Sequence, residues 1–372
     1  MILRDQLPNI PGARGAHQGR ASAILAAQHP ILDELQRAGA HKTHSFATIN
    51  AVATSIKKAE IDVLSAHPLV YAVVPNRQIK MKSRSDTAGS IRSAAAAPSA
   101  ASPLCGTLEP EALQLTNTAF LNPATPSAQT TLDGNGVPIT GVGVKVAYIA
   151  DGLDPTIPGF IRADGTPVFI DYQDFSGDPA GTATPGAEAF GDASSIAAQD
   201  VSNHAVLTYD ISQFVNAAHP LPSPCKIRIR GMAPGASLVG IKVFGEDGFT
   251  SEAAFVESIE YVVTHDDVDV INESFGNNAV PDNGTDPTSL ANQAAVQAGV
   301  VVVVSTGDAG TAGTLGSPST NPWSIAAGAT TSFRLYAQTG FGAMALATNN
   351  GYVSNNISSF SSGGYSESGA LT

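Results

Sequence analysis

The chain has 372 residues, a formal net charge of −13, 43% hydrophobic residues and only 14% charged ones. That length allows two or three domains and the apolar content suits a large buried core, whereas the acidic balance argues against nucleic acid or an anionic membrane as partner. No apolar run approaches the roughly 20 residues that a membrane span needs.

The 36 glycines and 24 prolines are scattered, as in a loop-rich globular protein. Residues 1–20 carry Arg4, Asp5, Arg14 and Arg20 and no apolar core, so no signal peptide is recognisable; either the protein stays inside the cell or its start lies upstream. The two cysteines, Cys105 and Cys225, are read equally well as a disulfide or as two buried thiols.

Ile31–Arg37 is predicted as a helix with Pro30 at its start, His44–Ala53 as a strand, Ala59–Ala66 as a helix carrying Ile61, Val63 and Leu64, and Val70–Val74 as a strand. Together they make a small α+β unit. Residues 84–103 lack periodicity and read as a linker. Gly141–Ala150 is a nearly continuous apolar strand of the buried parallel kind, followed by Asp151-Gly152. Its glycines precede the strand, so it is not a dinucleotide fingerprint; no phosphate loop follows any strand, which disfavours a nucleotide-binding reading.

Glu188 and Asp192 stand at i and i+4. In a helix they share one face, about 6 Å apart at Cβ. On a solvated face such a pair costs only roughly 0.2–0.5 kcal/mol and carries no chemistry. Here the surroundings, E-A-F-G-D-A-S-S-I-A-A, are small and apolar, and no lysine or arginine is adjacent. Confined together, two carboxylates raise one another's proton affinity and the pair holds a proton. Residues 231–276 then read G-M-A-P-G-A-S-L-V-G-I-K-V-F, a helix over Glu252–His265 with Phe255, Ile259 and Val262 on one face, and V-D-V-I-N-E-S-F-G. This is a strand–helix–strand crossover. Val300–Val304 is another buried strand, running into S-T-G-D-A-G around Asp308, and I-S-S-F-S-S-G-G closes the readable part at 357–364.

The phrases at 231–276, the turn at 305–310 and the F-S-S segment resemble, in this order, the subtilisin-like serine peptidases. The resemblance covers about 140–372 and implies an α/β fold, a parallel sheet with helices on both faces. It implies that Ser274, Phe275 and Gly276 line the cleft and pair with the substrate backbone. The segments I-N-A-V at 49–52 and H-P-L-V-Y-A-V-V-P-N at 67–76 look like the inhibitory prodomain of that family, although its first strand, before the first helix, is not evident. The domain reading is therefore 1–80 prodomain, 81–104 linker and 105–372 peptidase domain; an accessory domain of ferredoxin-like form without an inhibitory role is the alternative for the first unit.

Three departures from the family matter. Ungapped, its histidine-orienting aspartate falls on Ala150, and Asp151 lies one residue later, where a strand points to the other face; turning the chain with Gly152 is the simpler role for Asp151. None of the eight histidines has the family's H-G-T-H context, and Asp192–Ala198 fills that slot. The family's oxyanion asparagine is replaced by Asp308. These changes occur together in the sedolisins, the acid-acting branch of the same fold, which use a Glu and an Asp four apart and an Asp in S-G-D. The resemblance thus implies Glu188 and Asp192 as base and partner, and Asp308 as an oxyanion donor that acts when protonated.

No G-T-S nucleophile motif occurs in the 372 residues. Ser366, in G-Y-S-E-S, echoes it but follows Phe360 too soon, with no room for a helix. The expectation is a C-terminally incomplete, secreted serine endopeptidase acting on proteins or peptides in acid, with its own prodomain as a further partner. No cofactor or metal is expected in these residues, calcium belonging in sedolisins to the C-terminal part. A non-catalytic fragment or pseudopeptidase that binds peptides in the cleft is the alternative.

Overall fold

The computed structural model describes residues 1–10, 12–81, 105–109, 112–179, 182, 187–212, 222–276, 285–310, 312–330, 357–358 and 360–364. Residues 82–104 of the predicted linker and Ser366 lie outside these.

The N-terminal segment runs β1 (Ile2–Leu3), α1 (His17–Arg37), β2 (His41–Ser45), β3 (Val52–Ser55), α2 (Lys58–Ser65), β4 (Val70–Ala72) and β5 (Gln78–Lys80). β1 pairs antiparallel with β4, supplying the first strand that the sequence did not reveal, and β2 pairs antiparallel with β3. Leu3, Ile31, Leu35, Val52, Leu64 and Val70 form its core.

Three expectations change here. Helix α1 begins well before Pro30, which lies inside it. Proline removes one N–H and crowds the carbonyl four residues earlier. The alanine-rich turn before it favours helix, and buried Ile24 and Ile31 hold both halves against the core. The single strand expected over 44–53 is interrupted at 46–51. Buried Gln28 donates to Phe46 O and Ala51 O there, and the amides of Ala47 and Thr48 donate to Glu260 Oε2. Finally, α2 buries Leu64 but leaves Ile61 and Val63 exposed.

After the short helix α3 (Ala112–Leu115) the main unit begins with β6 (Lys145–Ala150), β7 (Phe169–Asp174) and α4 (Ala187–Ala197). Two small hairpins follow, β8 (Val201–Ser202) with β9 (Ala205–Val206) and β10 (Tyr209–Asp210) with β11 (Lys226–Ile227). Then come β12 (Ser237–Lys242), β13 (Phe249–Ser251), α5 (Glu252–Thr264), β14 (Val270–Glu273), α6 (Pro287–Gln297), β15 (Val301–Ser305) and β16 (Ile325–Ala327). The large sheet has the order β7-β12-β6-β14-β15-β16, and every pairing in it is parallel. Helices flank it: α4 packs on β6 and β12, α5 on β6, and α6 on β15 and α5.

Two glycines let this packing close. At Gly240 in β12 a Cβ would stand 2.6 Å from the Tyr172 ring and 2.8 Å from the Tyr148 hydroxyl, so the aromatic side chains lie directly over the strand backbone. At Gly231 it would stand 2.4 Å from Ile196 O. The loop 231–233 therefore reaches the end of α4, where the amides of Gly231, Met232 and Ala233 donate to the carbonyls of Ala198, Ser195 and Ile196. Carbonyls that a helix end leaves without partners are thereby satisfied. Cys105 and Cys225, 120 residues apart, form a disulfide that ties the chain just after the linker to the start of β11. The question the sequence left open is closed in favour of the bond.

The N-terminal segment packs on this unit. β5 pairs antiparallel with β13, Ile79 joins the main core, Asn76 Oδ1 accepts from the Ala253 amide, and Arg14 pairs with Asp269 at 3.0 Å.

Candidate active site

The chain reverses direction in the sheet around β6, with β12 on one side and β14 on the other. Open parallel sheets form a crevice at the C-terminal ends of such strands. Asp151 follows β6, Ser274–Gly276 follow β14, and Thr306–Asp308 follow β15. Helix α4 carries Glu188 and Asp192. A cleft of about 580 Å³ is lined by Glu188, Ser274, Phe275, Gly276 and Asp308, with Ser317, Ser319, Ala327 and Ala329 along its walls. Lys80 and Met81, at the end of the N-terminal segment, also line it.

Asp192 lies at the edge of the cleft, bonded to one of its lining residues. Its Oδ1 accepts from Ser274 Oγ at 2.8 Å, and Ser274 Oγ accepts in turn from Asn272 Nδ2 at 3.1 Å. Its Oδ2 is buried with no hydrogen-bond partner among the described residues. Burial, then the charge of Glu188, push its carboxyl up to about 7, against the stabilising bond from Ser274. Glu188, one turn earlier, is exposed to the cleft.

Asp151 does more than turn the chain. It is fully buried, and its Oδ1 accepts from the Ala189 amide at 2.7 Å. That amide is in the first turn of α4, whose donors lack helical partners and favour a negative neighbour. Asp151 thus fixes α4 to the end of β6, and its charge adds to the upward push on Asp192. Beneath it, the buried Tyr148 hydroxyl has no hydrogen-bond partner among the described residues, and burial raises its phenol far above the usual range.

Phe275 is an anchor as well as a lining residue: its ring packs 4.3 Å from that of Phe244. Gly276 brings two cleft loops into contact, since a Cβ there would stand 2.4 Å from Ser317 O. The turn bearing Asp308 has Gly307 at φ 98°, a conformation that favours glycine. It is strapped by the F-S-S segment: Ser362 N donates to Gly307 O, Ala309 N to Ser362 Oγ, and Gly310 N to Phe360 O.

All the predicted residues that the structure describes are therefore in or beside one cleft. Sequence reading missed Asn272 and the tie from Asp151 to α4. For Asn272 a signal existed: in V-I-N-E-S it alternates with Ser274 and shares its face of the strand. Among the described residues, no group of three or more His, Cys, Asp or Glu stands close enough to hold a metal ion.

The chain belongs to the subtilase family, whose profile matches residues 141–372. It is 32% identical to the minor extracellular protease Vpr of Bacillus subtilis over 194 residues, covering 51% of this chain and 21% of that protein. It is 38% identical to pyrolysin of Pyrococcus furiosus over 103 residues, covering 27% of this chain and 7% of that protein. To subtilisin E of Bacillus subtilis it is 29% identical over 204 residues, covering 52% of this chain and 42% of that protein. The chain thus spans less than half the length of each of these relatives.

Proposed function

We propose that this chain supplies part of a serine-type endopeptidase that hydrolyses protein or peptide substrates in acid. The observation that carries the reading is the gathering of Glu188, Ser274–Gly276 and Asp308, from three separate segments, around one cleft with Asp192 bonded at its edge. Glu188 takes the proton of a serine hydroxyl as its oxygen attacks the scissile carbonyl. Asp192, which burial keeps protonated in acid, leaves the pair's negative charge on Glu188. Asp308 donates a hydrogen bond to the tetrahedral oxyanion, which a carboxylic acid can do and a carboxylate cannot. Glu188 returns the proton to the leaving amine, and water then hydrolyses the ester. The arrangement is sedolisin-like, and the nucleophilic serine is not assigned among the described residues. Residues 274–276 hold the substrate as an added strand.

Residues 1–80 act in this reading as the prodomain. The pairing of β5 with β13 and the presence of Lys80 and Met81 in the cleft support it. The protein works outside the cell, as the disulfide favours. A second reading is a pseudopeptidase that only binds peptides in the cleft lined by Ser274–Gly276. Asp308→Ala in the full gene product separates the two. In the peptidase it lowers kcat by about 10²–10³. A variant that binds peptide as the native protein does, with neither version hydrolysing it, contradicts the proposal.

A further inference from the structure

Two residues at the end of β14 face opposite sides of the sheet. Ser274 turns to the cleft, and Glu273 turns into the interior, where it is 1% exposed. Its partner there is Asn292 of α6, fully buried, whose Nδ2 donates to Glu273 Oε2 at 2.8 Å. The two remaining polar atoms of this pair, Glu273 Oε1 and Asn292 Oδ1, are both buried acceptors with no hydrogen-bond partner among the described residues.

An ionised Glu273 would leave both acceptors unsatisfied and a charge uncompensated, each costly in the interior. One proton on Oε1 removes all three penalties, because a carboxylic acid and a carboxamide are complementary donor–acceptor pairs. The neighbours favour the same state. Beside Glu273 in the sheet lie Ile149 of β6 and Val304 of β15, both apolar. The charged group facing it is Asp286, at the N-cap of α6, which repels a carboxylate. Helix α5 contributes another acid, Glu252, whose own charged neighbours are Asp286, Arg77 and the N-terminal amine.

We propose that Glu273 is held as a neutral carboxylic acid, joined to Asn292 by two hydrogen bonds, and that this pair is a proton-dependent latch between β14 and α6, directly behind the cleft. It governs the firmness of the strand that ends in Ser274, and it stands whether or not the cleft is catalytic.

The sign of the pH effect follows from proton binding. Burial pushes Glu273 up to about 8 from an ordinary 4.5, so over that interval the folded protein holds a proton that the unfolded chain has released. The latch's contribution is full below the lower value and is lost as pH rises to the upper one.

The test is the unfolding temperature of the full chain against pH, native and Glu273→Gln, with infrared spectra of both. Glutamine reproduces both hydrogen bonds without a titrating proton. The native Tm is expected to fall relative to the variant by roughly 5–10 °C between about pH 5 and about pH 9. At pH 6 the native protein is expected to show a protonated-carboxyl carbonyl stretch that the variant lacks. Parallel Tm curves, an absent band, or a Glu273→Gln chain that does not fold in acid would each overturn the latch.

Discussion

Asp192 is held between opposing influences: burial and Glu188 favour its proton, while the hydroxyl of Ser274 favours its charge. Its carboxyl, raised to about 7 from 3.8, keeps a proton in the folded state that the unfolded chain loses, so its contribution to stability disappears as pH rises through that range. Asp192→Asn abolishes this titration. The variant's unfolding temperature, measured against the native protein's, is predicted to gain between about pH 4 and about pH 8; a constant difference would contradict the account. Ser274→Ala leaves Oδ1 as a second orphaned acceptor and costs about 1–3 kcal/mol in denaturant titrations. It also moves the pH dependence of stability upward, because the bond that favoured the charge is gone. The acidic pair was legible because its spacing and its apolar neighbours are both written locally. The contact from Asp192 to Ser274 was not, since 82 residues separate the two.

At the scale of the element, α4 is positioned from both ends. Asp151 holds its first turn, and the 231–233 loop closes its last. Gly231→Ala drives a Cβ into the backbone of Ile196 and Ala197. A destabilisation of about 1–3 kcal/mol or more is expected by denaturant titration. Activity should fall with it, because α4 carries Glu188 and Asp192; a variant of native stability would show that the loop does not constrain the helix. Four of the six sheet strands, β6, β12, β14 and β15, and α5 were legible from apolar runs and helical periodicity; β7 and β16 were not read. Helix α1 was begun too late in that reading because proline is favoured at a helix start, and only the burial of Ile24 and Ile31 in three dimensions carries the helix through Pro30. The break at 46–51 was equally hidden: Gln28 and Glu260 make it, and both are remote in sequence.

For the whole molecule, two attachments join what the sequence separates. One is the disulfide, whose 120-residue span restricts the unfolded chain strongly. Cys225→Ser is predicted to cost about 2–5 kcal/mol, and reduction of the native protein should lower its unfolding midpoint by the same amount. The bond could not be read from two cysteines alone, because pairing depends on the approach of their Cα atoms. The other attachment is the N-terminal segment, seated on α5 through Glu260 and on β13 through β5. Its place beside the cleft supports its reading as a prodomain, as does the resemblance of its phrases at 49–52 and 67–76.

The most direct measurement is the pH profile of peptide hydrolysis by the full gene product, native and Asp308→Asn, from about pH 3 to about pH 9. If protonated Asp308 stabilises the oxyanion, native activity is highest in acid and declines as pH rises and the donor is lost. Asparagine donates at every pH, so the variant should retain activity further toward alkali. A native enzyme fully active at about pH 9, or a variant whose profile matches the native one, would contradict the assignment.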